Sequence, residues 1–382
     1  MSVRNFGLPY TGSKSRIAPW LMEMLPNCEN FVDVFAGGCA VSHAVILAGK
    51  AKMITMNDIQ GDVVQLFLDA LHGDLGKYNP YQWIDRTTFF EQKNTNPFIR
   101  LVYSFGNNAK NYLYSREIEE YKHAVHLALT DDDWESFNEL CPELAEKCKT
   151  ELQNYPISHD DYSISIYIRH LKLQKKCCQI LREISGNSWY SEVIQQHPFY
   201  RTSKKEWISH GKTGTKIVGV HGNQELFSID RTKSIYAACD IERTQRIESN
   251  QTLQSLERVK RIQHLEAAKR IKTINNNDII NNNPIINTTS MDYRLLDIPS
   301  NSVVFCDPPY KDSEVKYNTT KFNHEEFYEW CLEKAKYNDV YVTEYNIEHP
   351  HFQLLGEKGR QISLNAQGNK GIKAEKLYKV MP

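Results

Sequence analysis

The sequence has 382 residues, with 46 Lys and Arg against 47 Asp and Glu and 41% hydrophobic positions. A chain of that length can bury a sizeable core in two or three domains, and its formal net charge of -1 excludes a histone-like basic arm and a uniformly acidic solvating chain. The nine cysteines contain no CxxC pair, the distribution of a reduced protein. With no apolar leader core and no run of about eighteen apolar residues, the expected place is the cytoplasm, away from membranes.

In chain order, the first strong element is Phe31-Val-Asp-Val-Phe35, a β-branched and aromatic run that ends at Gly37-Gly38. Residues 40–48 follow with helical content, and Gly49 can close that helix. Lys52-Met-Ile-Thr-Met56 reads as a second buried strand ending at Asn57-Asp58, and a further helix is expected over 61–71. Strand, helix, strand, helix with short connections predicts a parallel sheet with right-handed crossovers.

The pattern then becomes irregular for about two hundred residues. Segment 131–161 carries ten acidic residues and two lysines, a net of -8, and reads as a solvated helical lobe. Segment 201–272 inverts this, with fifteen Lys and Arg against eight Asp and Glu, a net of +7. Residues 240–272 read as one long polar helix in which Leu253, Leu256, Val259, Ile262, Leu265, Ala268 and Ile271 recur every three positions. A stripe of that period winds around a helix and suits more than one packing neighbour. The Asn-rich run 274–283, closed by Pro284, reads as a linker. Beyond it, Val303-Val-Phe-Cys306 is a short apolar strand, 324–337 an amphipathic helix, Val340-Tyr-Val-Thr343 another strand, and 361–381 a hairpin around Gly368–Gly371.

The sharpest chemical signal is Asp307-Pro308-Pro309-Tyr310 directly after a buried strand. Two prolines stop the ladder and fix the backbone, setting the Pro308 carbonyl beside the Asp307 carboxylate. Two acceptors side by side match the two hydrogens of an exocyclic amine and turn its lone pair toward an electrophile, while the Tyr310 ring can stack on a flat heterocycle. The carboxyl end of a parallel strand is where α/β folds bind ligands. Asp58, at the end of the second strand, is placed either to hold a ribose or to cap a helix. His123 and His126 have helical spacing but no completing ligands, so no metal site is expected. Cys306 is expected to be dispensable.

Tyr10-Thr-Gly-Ser-Lys14, Phe31-Val-Asp-Val-Phe-Ala-Gly-Gly38, Asn57-Asp58 and Asp307-Pro-Pro-Tyr310, in that order, resemble the Dam-like (alpha-class) DNA adenine N6-methyltransferases. The resemblance covers roughly 6–75 and 285–382. It implies an α/β fold, a Rossmann-like S-adenosylmethionine-dependent methyltransferase sheet with a long, mainly helical inserted target-recognition domain. Residues 1–75 and 285–382 would form the catalytic domain and 76–284 the insert. By the same resemblance, Tyr10 and Lys14 would contact S-adenosylmethionine near its methionine moiety, with Lys14 suited to the carboxylate. Asp33, Phe35 and Gly37 would belong to the cofactor turn, Asp58 would take the ribose hydroxyls, Ile59 would pack on the adenine, and Asp292 with Tyr293 would approach that ring. Asp307 through Tyr310 would be catalytic and adjoin the cofactor. Tyr103-Ser-Phe-Gly-Asn-Asn108 is similar to the family's loop near the active site. The family's glycine pattern departs here, since Cys39 stands where a glycine is usual and Gly38 precedes it.

The expected partner is double-stranded DNA, bound by a monomer in a prokaryotic or phage setting, with restriction–modification among the roles such an enzyme serves. A base in the stack is out of reach, so the nucleotide must flip out. The basic segment, with Lys204, Lys205, Lys212, Lys216, Arg231 and Lys233 on loops, is the source of phosphate contacts. Cytosine N4, an RNA base or a protein amide are alternative acceptors, and a non-catalytic DNA-recognition subunit is the alternative of another class.

Overall fold

The computed structural model of the chain describes residues 5–79, 81–185, 253–274, 284–311, 322–361 and 372–382. Lys204, Lys205, Lys212, Lys216, Arg231 and Lys233 lie outside these residues, as do the Asn-rich run 275–283 and the turn expected at Gly368–Gly371. The chain divides into two compact units, one comprising Met1–Leu113, Glu266–Ile362 and Gly371–Pro382, the other Tyr114–Leu265 and Ser363–Lys370. Against the boundaries expected near 75 and 285, the first unit extends to Leu113 and resumes at Glu266.

The first unit is built on a seven-stranded sheet. Strands β1 (Cys28–Asp33), β2 (Ala51–Asn57), β3 (Ile285–Thr289), β4 (Ser302–Cys306) and β5 (Asp339–Glu344) are parallel. Strand β7 (Ile372–Val380) runs antiparallel between β5 and β6 (Phe352–Gln361), giving the order β3-β2-β1-β4-β5-β7-β6. The Val and Phe residues of β1 and β4 suit strands buried on both faces, and all five residues of β4 are buried. The hairpin expected over 361–381 therefore has its first strand farther upstream, at 352–361. Short helices α1 (Ala18–Met24), α2 (Ala40–Ala48), α3 (Gly61–His72), α4 (Arg86–Gln92) and α5 (Pro97–Val102) complete the N-terminal part of this unit. The chain passes from β1 outward to β2 and β3, then returns to lay β4 on the other side of β1. That reversal makes β1/β4 the switch point, where a crevice opens at the carboxyl ends of the strands.

The second unit is helical in its described part, with α6 (Arg116–Thr130), α7 (Glu135–Leu140), α8 (Pro142–Leu152) and α9 (Tyr162–Ser185). The carbonyls left over at the end of α6 are met by Arg169 of α9, which is almost fully buried and donates to Leu129 O (3.1 Å), Ala128 O (2.8 Å) and Asp132 Oδ1 (2.7 Å). A cation at a helix C-terminus also opposes the helix dipole favourably. The single long helix expected over 240–272 is broken within its described part. Residues 253–259 are helical, 260–262 are not, and α10 (Gln263–Lys272) starts afresh. At the break the Ile262 N–H is taken by His170 Nε2 at 3.2 Å, so the helical ladder does not run through. The break reorients the period-three stripe, and all seven of its apolar residues are buried. The remaining described helix, α11 (His324–Ala335), covers β4 and β5 through Phe327, Cys331 and Ala335. Among the described residues no helix is long and apolar enough to cross a membrane.

Candidate active site

The site grows from the loops at the carboxyl ends of β1, β2 and β4. After β1 the chain turns through Val34–Cys39 into α2, and the N-terminal segment lies on this turn. Leu8 N–H donates to Gly38 O at 2.7 Å and Gly7 N–H to His43 Nδ1 at 3.0 Å. Gly7 has φ +63°, and a Cβ there would stand 2.3 Å from Gly38 O. At Gly38 a Cβ would stand 2.6 Å from the Tyr10 Cβ, so the close approach of Tyr10 requires glycine. Cys39 itself adopts the left-handed conformation, φ 57° and ψ 31°, as the residue before α2.

Asp58 follows β2 and fastens the turn from the other side. Its Oδ2 accepts from Gly37 N–H at 2.8 Å and its Oδ1 from Gln60 N–H at 2.8 Å. Burial raises its pKa against the opposing pull of those two amides. Asn57 holds three loops at once. Its Nδ2 donates to Val34 O (3.0 Å) and Met291 O (3.1 Å), while its Oδ1 accepts from Thr289 Oγ1 (2.8 Å) and Met291 N–H (3.2 Å).

Asp307, the first residue beyond β4, has both carboxylate oxygens engaged. Thr343 Oγ1 of β5 donates to Oδ1 at 2.8 Å, and Lys14 Nζ stands 2.7 Å from Oδ2. The side chain keeps 19% of its surface exposed. Burial nevertheless raises its pKa, with Lys14 pulling the other way and Glu375 adding to the rise. Lys14 Nζ lies 4.8 Å from the centre of the Tyr310 ring, and that ring meets Tyr345 edge-on at 4.6 Å. The Tyr310 hydroxyl is 3.5 Å from Glu375 Oε2, and burial holds its pKa well above the usual value. An acidic oxygen pair, an ammonium and an aromatic face thus converge at the mouth of the switch point. Such a set can hold a neutral amine on a planar ring by hydrogen bonds and stacking.

The other expected residues fall into two groups. Phe35 packs on Tyr293 (5.4 Å between ring centres) and against Phe322 and Phe327, while Ile59 is 63% exposed beside Asp58. Asp292 accepts from the Arg294 guanidinium at 2.6 and 2.8 Å, which holds its carboxyl below the usual range. Asp33 is buried, accepts from Ser42 Oγ at 2.6 Å, and is pushed up to about 7 by burial. Its carboxylate therefore braces α2 against β1 and has no surface toward the crevice. The loop at 103–108 lies against the Tyr10–Lys14 segment, because Thr11 Oγ1 donates to Gly106 O (3.0 Å) and Asn107 O (2.9 Å). Cys306 is fully buried, and its thiol is held well above the ordinary value by burial. Among the described residues no group of three His, Cys, Asp or Glu is placed to hold a metal ion.

The profile of the D12 class N6 adenine-specific DNA methyltransferases matches residues 10–141 and 145–334. The chain belongs to that family. No curated protein matches it. The match begins at Tyr10 and includes both the Asp58 turn and the Asp307 tetrapeptide, so this D12-class methyltransferase carries its family's sequence through the loops after β1, β2 and β4.

Sequence reasoning overlooked three groups that border this crevice. Thr343 and Glu344 end β5 beside the end of β4, and Glu344 Oε2 accepts from Lys311 N–H at 3.1 Å. Glu375 is completely buried on β7, 3.6 Å from Lys14 Nζ. A signal for Glu375 exists in the pattern. It shares a strand face with Leu377, also fully buried, and an acid at an inward position of a strand demands a partner.

Proposed function

We infer that the protein transfers a methyl group from S-adenosylmethionine to N6 of an adenine flipped out of double-stranded DNA. The observation that carries this reading is the Asp307 carboxylate, fixed by Thr343 and Lys14 at the carboxyl end of β4, in a chain of the N6 adenine-specific family. When bound, S-adenosylmethionine supplies an electrophilic methyl carbon on its sulfonium. The chain has a cradle that suits it. Two glycines let the backbone come close at Tyr10, and Asp58, oriented by two amides, keeps lone pairs for ribose hydroxyls. Tyr10 and Lys14 border the methionine end, Gly37 the turn, and Phe35, Ile59 and Asp292 with Tyr293 the adenine end. Asp33 acts on the cradle through Ser42 and α2.

Asp307 and the Pro308 carbonyl accept the two amine hydrogens, while Pro309 fixes the backbone and Tyr310 stacks on the base. Hydrogen-bonding both N–H groups withdraws the nitrogen lone pair from the ring and aims it outward. An aromatic amine becomes acidic only as its new bond forms, and Asp307, its pKa raised by burial, is the adjacent oxygen that takes the proton at that moment. Flipping the nucleotide costs a few kcal/mol. Phosphate contacts from Lys204, Lys205, Lys212, Lys216, Arg231 and Lys233 offset this cost.

Mass spectrometry of nucleosides from duplex DNA incubated with the protein and S-adenosylmethionine tests the reading. The expected product is N6-methyladenine from the wild-type protein and none above background from Asp307→Ala. N4-methylcytosine, or equal background from both proteins, would overturn it.

A further inference from the structure

Lys14 stands where the acceptor must bind. Its Nζ is 2.7 Å from Asp307 Oδ2, and Thr343 Oγ1 already occupies Oδ1. An incoming amine must share one of these oxygens, each of which has a second lone pair; the ammonium on Oδ2 is the stronger competitor for it, whereas Thr343 is fully buried on β5 and fixed by the strand. The ammonium, at the end of a flexible stem, is the group that can yield.

A second carboxylate is within reach of it. Glu375 Oε2 lies 3.6 Å from Lys14 Nζ and 3.5 Å from the Tyr310 hydroxyl. Close ammonium–carboxylate contacts have lengths of about 2.7–2.9 Å, so Lys14 needs a movement of roughly 0.8 Å to exchange its nearest partner. Glu375 has no exposed surface and Lys14 retains only 6%. Solvent therefore takes little part in the exchange. A buried ammonium released with no carboxylate to receive it would be strongly disfavoured.

We propose that Glu375 is a positioning residue that draws the Lys14 ammonium toward itself when the acceptor amine enters, lowering its competition with that amine for Asp307 Oδ2. The proposal rests on the reading of Asp307 as the amine acceptor. In the ligand-free protein Lys14 keeps the Asp307 anion compensated. On entry of the base it moves toward Glu375 and stays near enough to Asp307 to offset its charge. The same Glu375 oxygen draws the Tyr310 hydroxyl, so the ammonium and the stacking ring share one anchor.

The test is a double-mutant cycle on the single-turnover methylation rate, at saturating S-adenosylmethionine and duplex DNA, with Glu375→Gln, Lys14→Met and the double variant. Glu375→Gln leaves Lys14 on Asp307, and its rate is expected to fall by about tenfold or more. Glu375→Asp is expected to recover part of that loss. In the Lys14→Met background, Glu375→Gln is expected to change the rate by less than about twofold, because no ammonium remains to be received. Urea midpoints of the four ligand-free proteins give a second readout, expected to be non-additive. An unchanged rate in Glu375→Gln, an equal loss with and without Lys14, or additive midpoints would each overturn the proposal. Wild-type protein that leaves adenine unmethylated would instead overturn the functional reading beneath it.

Discussion

Cys39 holds a left-handed backbone conformation that glycine adopts without strain. The left-handed backbone stays at position 39 even though the side chain there is cysteine, at a cost on the order of 1–2 kcal/mol. Gly38 answers a different demand, the close approach of Tyr10. The two positions of the turn thus carry separate demands, space at 38 and a left-handed backbone at 39. Gly7 belongs to the same contact. Gly7→Ala would place a Cβ 2.3 Å from Gly38 O at a positive φ, with expected strain of about 1–3 kcal/mol. Because Lys14 follows within the same segment, a lower melting temperature and a slower methyl transfer are expected together. Unchanged values of both, by thermal melting and a tritiated transfer assay, would contradict this account of the turn.

At the scale of elements, the Asn57 side chain does for the crevice what a backbone ladder does for the sheet, joining the ends of β1, β2 and β3. Asn57→Leu would leave Val34 O and Met291 O without this donor, at about 1–3 kcal/mol for each unmet group. Urea denaturation is expected to show a loss of about 3 kcal/mol, and calorimetry a weaker cofactor affinity, since Asp58 follows directly. A loss below about 1 kcal/mol would show that water replaces the bonds. How legible each element was depended on its burial. Strands β1, β2, β4 and β5 announce themselves as apolar runs because parallel strands are covered on both faces. Strand β3 did not, because Ile285–Thr289 is an edge strand with much of its surface exposed, next to an Asn-rich run. The break at 260–262 was hidden because the backbone there is satisfied by His170, more than ninety positions away. Asp58 and Asp307 were readable from strand-end placement, whereas Glu375 reaches Lys14 only through the antiparallel strand β7, whose hairpin partner β6 begins upstream of the 361–381 segment.

For the whole molecule, one buried group in each unit is expected to make its stability respond to acid in the opposite sense. In the helical unit Tyr114, His264 and His126 form a buried chain, with His264 Nδ1 2.9 Å from the Tyr114 hydroxyl and Nε2 3.0 Å from His126 Nδ1. Burial, then His126, His170 and Lys122, hold the His264 pKa well below 6.5. Below about pH 6.5 the unfolded chain gains a proton there that the folded unit refuses, so stability falls as pH falls. In the sheet unit Asp33 titrates near 7 when folded, against 3.8 as its ordinary value. Between these values the folded form holds the extra proton, so this contribution grows as pH falls from 7 toward 4. Hydrogen exchange at pH 7.5 and 5.5, corrected for intrinsic rates, is expected to show protection falling in α6 and rising around β1. The reverse order would refute the assignment of these shifts. The DNA reading makes a separate demand at this scale. Alanine at two or three of Lys204, Lys205, Lys212 and Lys216 is expected to weaken duplex binding and to flatten its salt dependence by about one unit per lost phosphate contact. An unchanged slope would place the DNA surface elsewhere.

The switch point has a consequence for how the chain comes to be folded. Asp33 pairs with Phe305 and Met56 with Thr288, so the central strands cannot be completed until far later residues have been made. At about 5–20 residues/s of synthesis, β1 and β2 wait on the order of 15 to 50 s for β4. Through that interval they are a two-stranded ribbon with both edges open, held only by nearby helices, and open edges invite pairing with other chains. Yield of native protein is therefore expected to depend on the speed of translation and on chaperone holding of the first hundred residues more than on the stability of the finished sheet.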